Sequence, residues 1–176
     1  WKILIKKIYL WRHHGSGNFL KHLAVTLCTK VFCTSKQSFT AKFKKTIIMP
    51  VGVDTKIFKP ISGAIRKNNS ICMVGRISPL KHVDKALVAV NHLMTSGIQL
   101  SLSIIGPIAE KDLGYYKRLK KYIINQNISN NVFFREAVTQ EKLPEIYSSH
   151  EMCINLSEYG MFDKTILEAA ACGTIP

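Results

Sequence analysis

Ile71-Cys-Met-Val-Gly75-Arg-Ile-Ser-Pro-Leu-Lys81-His-Val83 is the stretch that decides the fold. Four apolar residues end on a glycine, and two cations follow before a helical repeat begins. A short apolar run closed by Gly75 reads as a buried strand. Val83, Ala86, Leu87, Val90, Leu93 and Met94 then recur at helical spacing, and Gly97 suits the position just past a helix end. A strand feeding through a short loop into a helix opens a βαβ unit, the building block of a parallel sheet.

Working downstream, the rhythm repeats. Ile98, Leu100, Leu102 and Ile104 alternate as a second strand, ended by Gly106. A helix follows from about Asp112 to Asn125, with Leu113, Tyr116, Leu119 and Ile123 on one face. Val132-Phe-Phe134 reads as a third strand. Leu143, Ile146 and Tyr147 mark a short helix that Pro144 can start. Met152-Cys-Ile-Asn-Leu156 reads as a fourth strand and Thr165 to Ala171 as a fourth helix. The expected fold class is α/β, a doubly wound, Rossmann-like parallel sheet. In such sheets ligands bind beyond the carboxyl ends of the strands, here Gly75, Gly106, Arg135 and Ser157.

Upstream, Val31-Phe-Cys-Thr34 is a short strand candidate, and Ser35 can cap a helix from Lys36 to about Phe43. Ile47-Ile-Met49 is extended ahead of Pro50. Pro50 to Pro60 has turn chemistry, and Ser62 to Ser70 is polar and rich in Gly and Asn, which makes it the place for a linker. The expected organisation is therefore a partial second domain over residues 1–45, a crossing and linker over 46–67, and the α/β domain over 68–176. The chain lacks an initiator Met, and Ala171-Cys-Gly-Thr-Ile-Pro176 stops where another strand opens, so a fragment truncated at both ends is expected.

The chain has 176 residues, 47% of them apolar and 20% charged, which excludes a disordered chain. No apolar run approaches the roughly 18 residues of a membrane-spanning helix. The opening Trp1-Lys-Ile-Leu-Ile-Lys-Lys7 lacks the apolar core and cleavage site of a signal peptide. Cys28, Cys33, Cys72, Cys153 and Cys172 form no Cys-x-x-Cys and no metal-ligand set; each sits among apolar residues, as a small hydrophobe in a reducing cytoplasm would.

The net charge of +14 is lopsided. Residues 1–67 hold fourteen Lys and Arg against one acid, Asp54, whereas residues 68–176 hold eleven against ten. Such a field attracts polyanions. No zinc-finger spacing, aromatic-basic ribonucleoprotein pattern or recognition helix supports a nucleic-acid partner. Trp1, Ile3, Ile5, Tyr9 and Trp11 alternate with Lys2, Lys6, Lys7 and Arg12 in a way that suits an anionic membrane surface. A strand with solvated basic flanks is the plain alternative.

The chemistry collects at the strand ends. Arg76 and Lys81 leave the first strand toward a helix N-terminus, where they can converge on an anion: Arg offers a fork and Lys a point charge. Two solvated cations at a loop is the other reading. The loop is neither a Walker loop nor the Gly-x-Gly-x-x-Gly dinucleotide fingerprint. After the fourth strand comes Ser157-Glu-Tyr-Gly-Met-Phe-Asp-Lys-Thr-Ile-Leu-Glu168-Ala-Ala-Ala-Cys-Gly-Thr174. Asp163 can cap the helix, and the backbone N–H groups of Met161 and Phe162 can face a phosphate or a sugar hydroxyl. Glu168 is an acid in an otherwise apolar helix and needs a partner: the two hydroxyls of a ribose, or Lys164 one turn away in the less favourable Lys-before-Glu order.

Gly75-Arg-x-x-x-x-Lys81, Ile104-Ile-Gly106, Val132-Phe-Phe134 and the Ser157–Thr174 stretch, in that order and spacing, resemble the C-terminal domain of the group 1 (family four) glycosyltransferases. Lys30-Val-Phe-Cys-Thr-Ser35 and Pro50-Val-Gly-Val-Asp54…Phe58-Lys-Pro60 resemble the end of the family's N-terminal domain and its interdomain crossing. The resemblance implies a retaining, metal-independent enzyme of the GT-B type, with two Rossmann-like domains around a cleft. It would use a nucleotide diphosphate sugar as donor, a saccharide or lipid-linked acceptor and no separate cofactor, in the cytoplasm or at the inner face of the membrane.

Residue by residue, Arg76 and Lys81 match the pair that neutralises the donor diphosphate, and Gly75 and Gly106 lie where the nucleotide passes the sheet edge. Gly160, Met161 and Phe162 match the donor-binding loop. Glu168 matches the second acid of the family's Glu-x7-Glu signature, which holds the ribose. Gly160 stands where many members carry the first acid, with Glu158 two positions away, and Val51 replaces a frequent Asn. His13, His14 and His22 read as exposed residues of a basic segment. Because most of a first domain is missing, the fragment alone is expected to be inactive. The alternative is a non-catalytic nucleotide-binding or regulatory module docking on an anionic surface.

Overall fold

The computed structural model describes residues 6–12, 15–157 and 163–176. These divide into two compact units, one running through Gly52 and one beginning at Val53.

The first unit holds β1 (Tyr9–Trp11), α1 (Phe19–Leu27), β2 (Lys30–Cys33) and β3 (Thr46–Ile48), with the strands parallel in the order β1-β2-β3. Asn18 starts α1 by accepting from the Lys21 N–H through its side chain. Val25, Cys28 and Val31 form a small core of their own, with Ile8, Leu10 and Phe43 packed against it. Tyr9, Trp11, Phe19 and Leu20 are exposed. Trp1, His13 and His14 lie outside the described residues.

Two sequence expectations need correcting here. The helix from Lys36 to Phe43 is only a short 3₁₀ turn, Phe39–Lys42, and its cap is Ser38 rather than Ser35. The Ser35 hydroxyl instead accepts from the Gln37 N–H, closing a local turn. Ser38 and Thr40 both donate to the Arg12 carbonyl, which ties the segment to β1 and leaves no room for an α-helical register. Thr46–Ile48, placed by sequence in the crossing, pairs with β2 as a third strand.

The second unit contains β4 (Lys67–Val74), α2 (Val83–Thr95), β5 (Ser101–Ile105), α3 (Leu113–Asn125), β6 (Val132–Arg135), α4 (Leu143–Ser149), β7 (His150–Cys153) and α5 (Lys164–Ala171). Its sheet is parallel throughout, in the order β6-β5-β4-β7. The chain steps outward from β4 to β6, then returns to place β7 on the other side of β4. This reversal puts a crevice between β4 and β7 at their carboxyl ends.

Strand parity builds two cores. Met73, Leu102, Ile104 and Val132 face the apolar stripes of α2 and α3. Cys72, Ile105 and Cys153 face Tyr147 of α4 and Ala169 of α5, together with Phe58. β5 is buried on both faces, as a central parallel strand should be. All five cysteines are buried and free.

Polar residues hide three element boundaries. The linker expected through Ser70 ends earlier, because Lys67 to Ser70 already belong to β4: Lys67 pairs with His150 and Ser70 with Ser101. Asn69 takes a left-handed conformation at φ 51°, where the register slips against β7. β7 starts at His150, whose Nε2 meets the Ser103 hydroxyl at 3.0 Å, and it ends before Asn155, whose side chain accepts from the Ser157 N–H in a turn. In α3 the buried stripe is Tyr115, Leu119 and Ile123, with Leu113 exposed; the Tyr115 hydroxyl donates to Asp84 of α2 at 2.7 Å.

Candidate donor-binding site

Gly75 and Gly106 end neighbouring strands and lie against each other. Both have positive φ, at 141° and 154°. A Cβ on Gly106 would sit 2.0 Å from the Gly75 carbonyl oxygen, so only glycine fits there. The Gly75 N–H donates to the Ile105 carbonyl at 2.9 Å, and the Ile77 N–H to the Pro107 carbonyl at 2.9 Å. The loops after β4 and β5 are thus stitched together by their backbones.

Beyond Gly75 the chain turns through Pro79–Lys81 into α2. This turn folds Lys81 back over the strand end, and a Cβ on Gly75 would meet its Cε at 3.4 Å. The Lys81 ammonium donates to the Ser157 hydroxyl at 3.0 Å and forms an ion pair with Asp163. It therefore bridges the start of α2 and the start of α5 across the crevice. Arg76 is exposed and lines the same shallow depression as Gly75, Lys81 and Asn155.

Asp163 caps α5 as its sequence position suggests, with Oδ1 accepting from the Thr165 N–H at 3.2 Å and from the Thr165 hydroxyl at 3.1 Å. Burial works against its charge, but the bonds from Lys81 and Asn155 outweigh it and hold the carboxyl below the usual aspartate value. Glu168 moves the other way. It is only 9% exposed, and burial, with Asp163 adding to it, pushes its carboxyl above the ordinary value. Its partner is the Tyr147 hydroxyl, which donates to Oε2 at 3.2 Å; no ion pair with Lys164 forms among the described residues. The carboxyls of Asp163 and Glu168, at the start and in the body of α5, are thus shifted in opposite directions by their surroundings.

A second cleft of about 600 Å³ opens beside Gly106, lined by Ile77, Ile108, Tyr116, Phe134 and Arg135. It was not anticipated as a cavity, although Gly106 and Arg135 were both placed at strand ends.

The structure brings Gly75, Arg76 and Lys81 together at the strand edge and adds Ser157 and Asp163 to them. Gly160, Met161 and Phe162, with Glu158, lie outside the described residues. The bond from Asp163 to Lys81 was not read from the sequence, though the capping role was. Tyr147 was read only as a helix residue, and nothing in its spacing signals a bond to Glu168. No group of three or more His, Cys, Asp or Glu able to hold a metal ion occurs among the described residues.

The sequence profile described as "Glycosyl transferases group 1" matches residues 54–176. The chain belongs to the group 1 glycosyltransferases. Among curated relatives, a D-inositol 3-phosphate glycosyltransferase of Streptomyces bingchenggensis is 29% identical over 136 residues, covering 70% of this chain and 30% of that protein. An MMP alpha-(1->4)-mannosyltransferase of Mycolicibacterium hassiacum is 30% identical over 127 residues, covering 72% of this chain and 29% of that protein. Among solved structures, HepE of Anabaena, in complex with UDP and glucose, superposes with a TM-score of 0.83 at 20% identity, over 98% of this chain and 53% of that chain. Sucrose-phosphate synthase of Thermosynechococcus elongatus gives 0.75 at 20% identity, over 94% and 48%. These group 1 glycosyltransferase residues therefore span about 30% of those curated relatives and about half of those structural neighbours. The superpositions place the α/β fold among the GT-B enzymes.

Proposed function

We propose that this chain supplies the donor side of an enzyme that moves a glycosyl group from a nucleotide diphosphate sugar to an acceptor hydroxyl with retention of configuration. The observation that carries the reading is Lys81, held between the Gly75 turn and the N-terminus of α5 at the switch point of the sheet. That is where a diphosphate finds a cation and free backbone N–H groups together.

In this mechanism the bond from the anomeric carbon to the diphosphate breaks through an oxocarbenium-like transition state, and negative charge grows on the leaving group. Lys81, Arg76 and the opening N–H groups of α5 meet that charge. They supply the stabilisation that a divalent ion gives in other transferases, so we propose a metal-independent reaction without a separate cofactor. Glu168 accepts from the ribose hydroxyls. The cleft beside Gly106 and Arg135 receives the base.

The relatives include a D-inositol 3-phosphate glycosyltransferase and a mannosyltransferase, which supports a hydroxylated, saccharide-like acceptor; a lipid-linked saccharide is the other acceptor proposed. No helix among the described residues is long and apolar enough to cross a membrane. The basic residues before Lys67, with exposed Tyr9 and Trp11, support docking at an anionic inner membrane surface on the cytoplasmic side. Gly160 in place of an acid favours one competing reading, a nucleotide-binding module without turnover.

The deciding experiment incubates the intact enzyme with UDP- and GDP-sugars and measures release of the nucleoside diphosphate with and without saccharide acceptors. Acceptor-dependent release that falls in Lys81→Ala and Arg76→Ala supports transfer. Binding without release selects the competing module.

A further inference from the structure

Glu168 sits in α5 beside a core formed by Phe58, Cys72, Ile105, Tyr147, Cys153, Ala169 and Cys172. A carboxylate in such surroundings must have its oxygens partnered. Tyr147 partners one of them, its hydroxyl donating to Oε2 at 3.2 Å. Among the described residues Oε1 receives no hydrogen bond, and it is not one of the buried polar atoms left without a partner. One oxygen is therefore held by the protein while the other is available.

Tyr147 is a fixed donor. It is fully buried, its ring lies against Phe58 at 6.4 Å between centroids, and its carbonyl accepts from the Thr174 hydroxyl at 2.5 Å. A phenylalanine would fill the same space without the cost of burying a hydroxyl. The phenol oxygen adds only its bond to Glu168.

We propose that Tyr147 is a positioning residue: its hydroxyl locks Oε2 of Glu168 so that Oε1 faces the ribose hydroxyls of the donor nucleotide. This rests on the reading of Glu168 as the ribose acceptor, and it adds a residue from a different helix to that subsite. The bond also favours the charged carboxylate, which burial and Asp163 oppose and Lys164 assists. Cys172, the C-cap of α5, and the thiols of Cys72 and Cys153 beside Tyr147 are the remaining titratable groups in this core.

The test is calorimetric titration of the intact enzyme with UDP, GDP and ADP, their nucleosides, and inorganic pyrophosphate. Tyr147→Phe is expected to weaken nucleoside and nucleoside diphosphate about three- to tenfold, the worth of one buried hydrogen bond. Pyrophosphate affinity should stay unchanged, and the loss should grow as pH falls toward the raised value of the Glu168 carboxyl. In a Glu168→Gln background the same change should add nothing, and thermal unfolding shows that each variant is folded. If Tyr147→Phe binds nucleoside like the parent while Glu168→Gln does not, this inference fails and the ribose role of Glu168 stands. If Glu168→Gln also loses nothing, both fall. Equal loss with pyrophosphate, or additive loss in the double variant, would assign Tyr147 to folding alone. Binding of none of the three nucleotides would overturn the proposed function and this inference together.

Discussion

Lys81, at the opening of α2, is ion-paired with Asp163, the cap of α5, although 82 positions separate them in the chain. In a chain of net charge +14 this is the one ion pair among the described residues, and it lies at the sheet's switch point. An ammonium has three protons to donate. Asp163 and Ser157 take two, and the third meets no partner among the described residues.

Removing that ammonium should therefore separate the parts of the donor. Lys81→Ala and Arg76→Ala in the intact enzyme should each weaken nucleoside diphosphate binding about tenfold or more, the worth of a charge-assisted hydrogen bond. Nucleoside binding should change little. Titration with each nucleoside and its diphosphate checks this; unchanged diphosphate affinity in both variants would make the pair ordinary surface charge.

Asp163 gives a pH signature. Its folded carboxyl titrates below the ordinary aspartate value, so its contribution to stability is fully present above that value. That contribution is lost as pH falls through the depressed folded one. Asp163→Asn keeps the helix cap and removes the charge. Denaturant unfolding between pH 6 and pH 2 should show a smaller acid-induced loss in this variant than in the parent.

His150 should act in a different window. Burial, with Arg135 and Lys67 nearby, holds its imidazole below the ordinary histidine value, although its bond to the Ile146 carbonyl opposes this. The unfolded chain therefore takes up the proton first on acidification. Stability should decline as pH falls through the ordinary histidine value and level off below the folded one. Imidazole NMR shifts locate the folded titration, and a titration at or above the ordinary value would contradict this account.

Gly106→Ala tests the stitch between the loops. The new Cβ would collide with the Gly75 carbonyl at a φ that L residues rarely adopt. A loss on the order of 2–3 kcal/mol is expected in chemical unfolding. Gly63→Ala, which also has positive φ but open space around it, should cost less.

The parallel sheet was legible because its strands are short apolar runs ended by Gly75 and Gly106, and because α2 carries an unbroken helical period from Val83 to Met94. What escaped was polar. Lys67 to Ser70 read as linker because strand pairing, not side-chain hydrophobicity, makes them extended. The helix at Lys36–Phe43 failed because the Ser35 hydroxyl accepts from the Gln37 N–H while the Ser38 and Thr40 hydroxyls donate to the sequence-distant Arg12 carbonyl. At the site, Arg76, Lys81 and Asp163 stood out as charged residues at a strand end or a helix start, and Glu168 as an acid inside an apolar helix. The bonds that give them direction, Lys81 to Asp163 and Tyr147 to Glu168, join residues too distant in sequence for spacing to reveal.

The contact between Gly75 and Gly106 also acts as a caliper. Because no side chain can enter between the two turns, the distance from the Lys81 seat to the cleft beside Arg135 is set by backbone alone. If the cleft receives the donor's base as proposed, donor choice should be retuned by exchanging Tyr116, Phe134 and Arg135, which line it, with both glycines left alone, because that changes what is gripped without changing the span between the jaws.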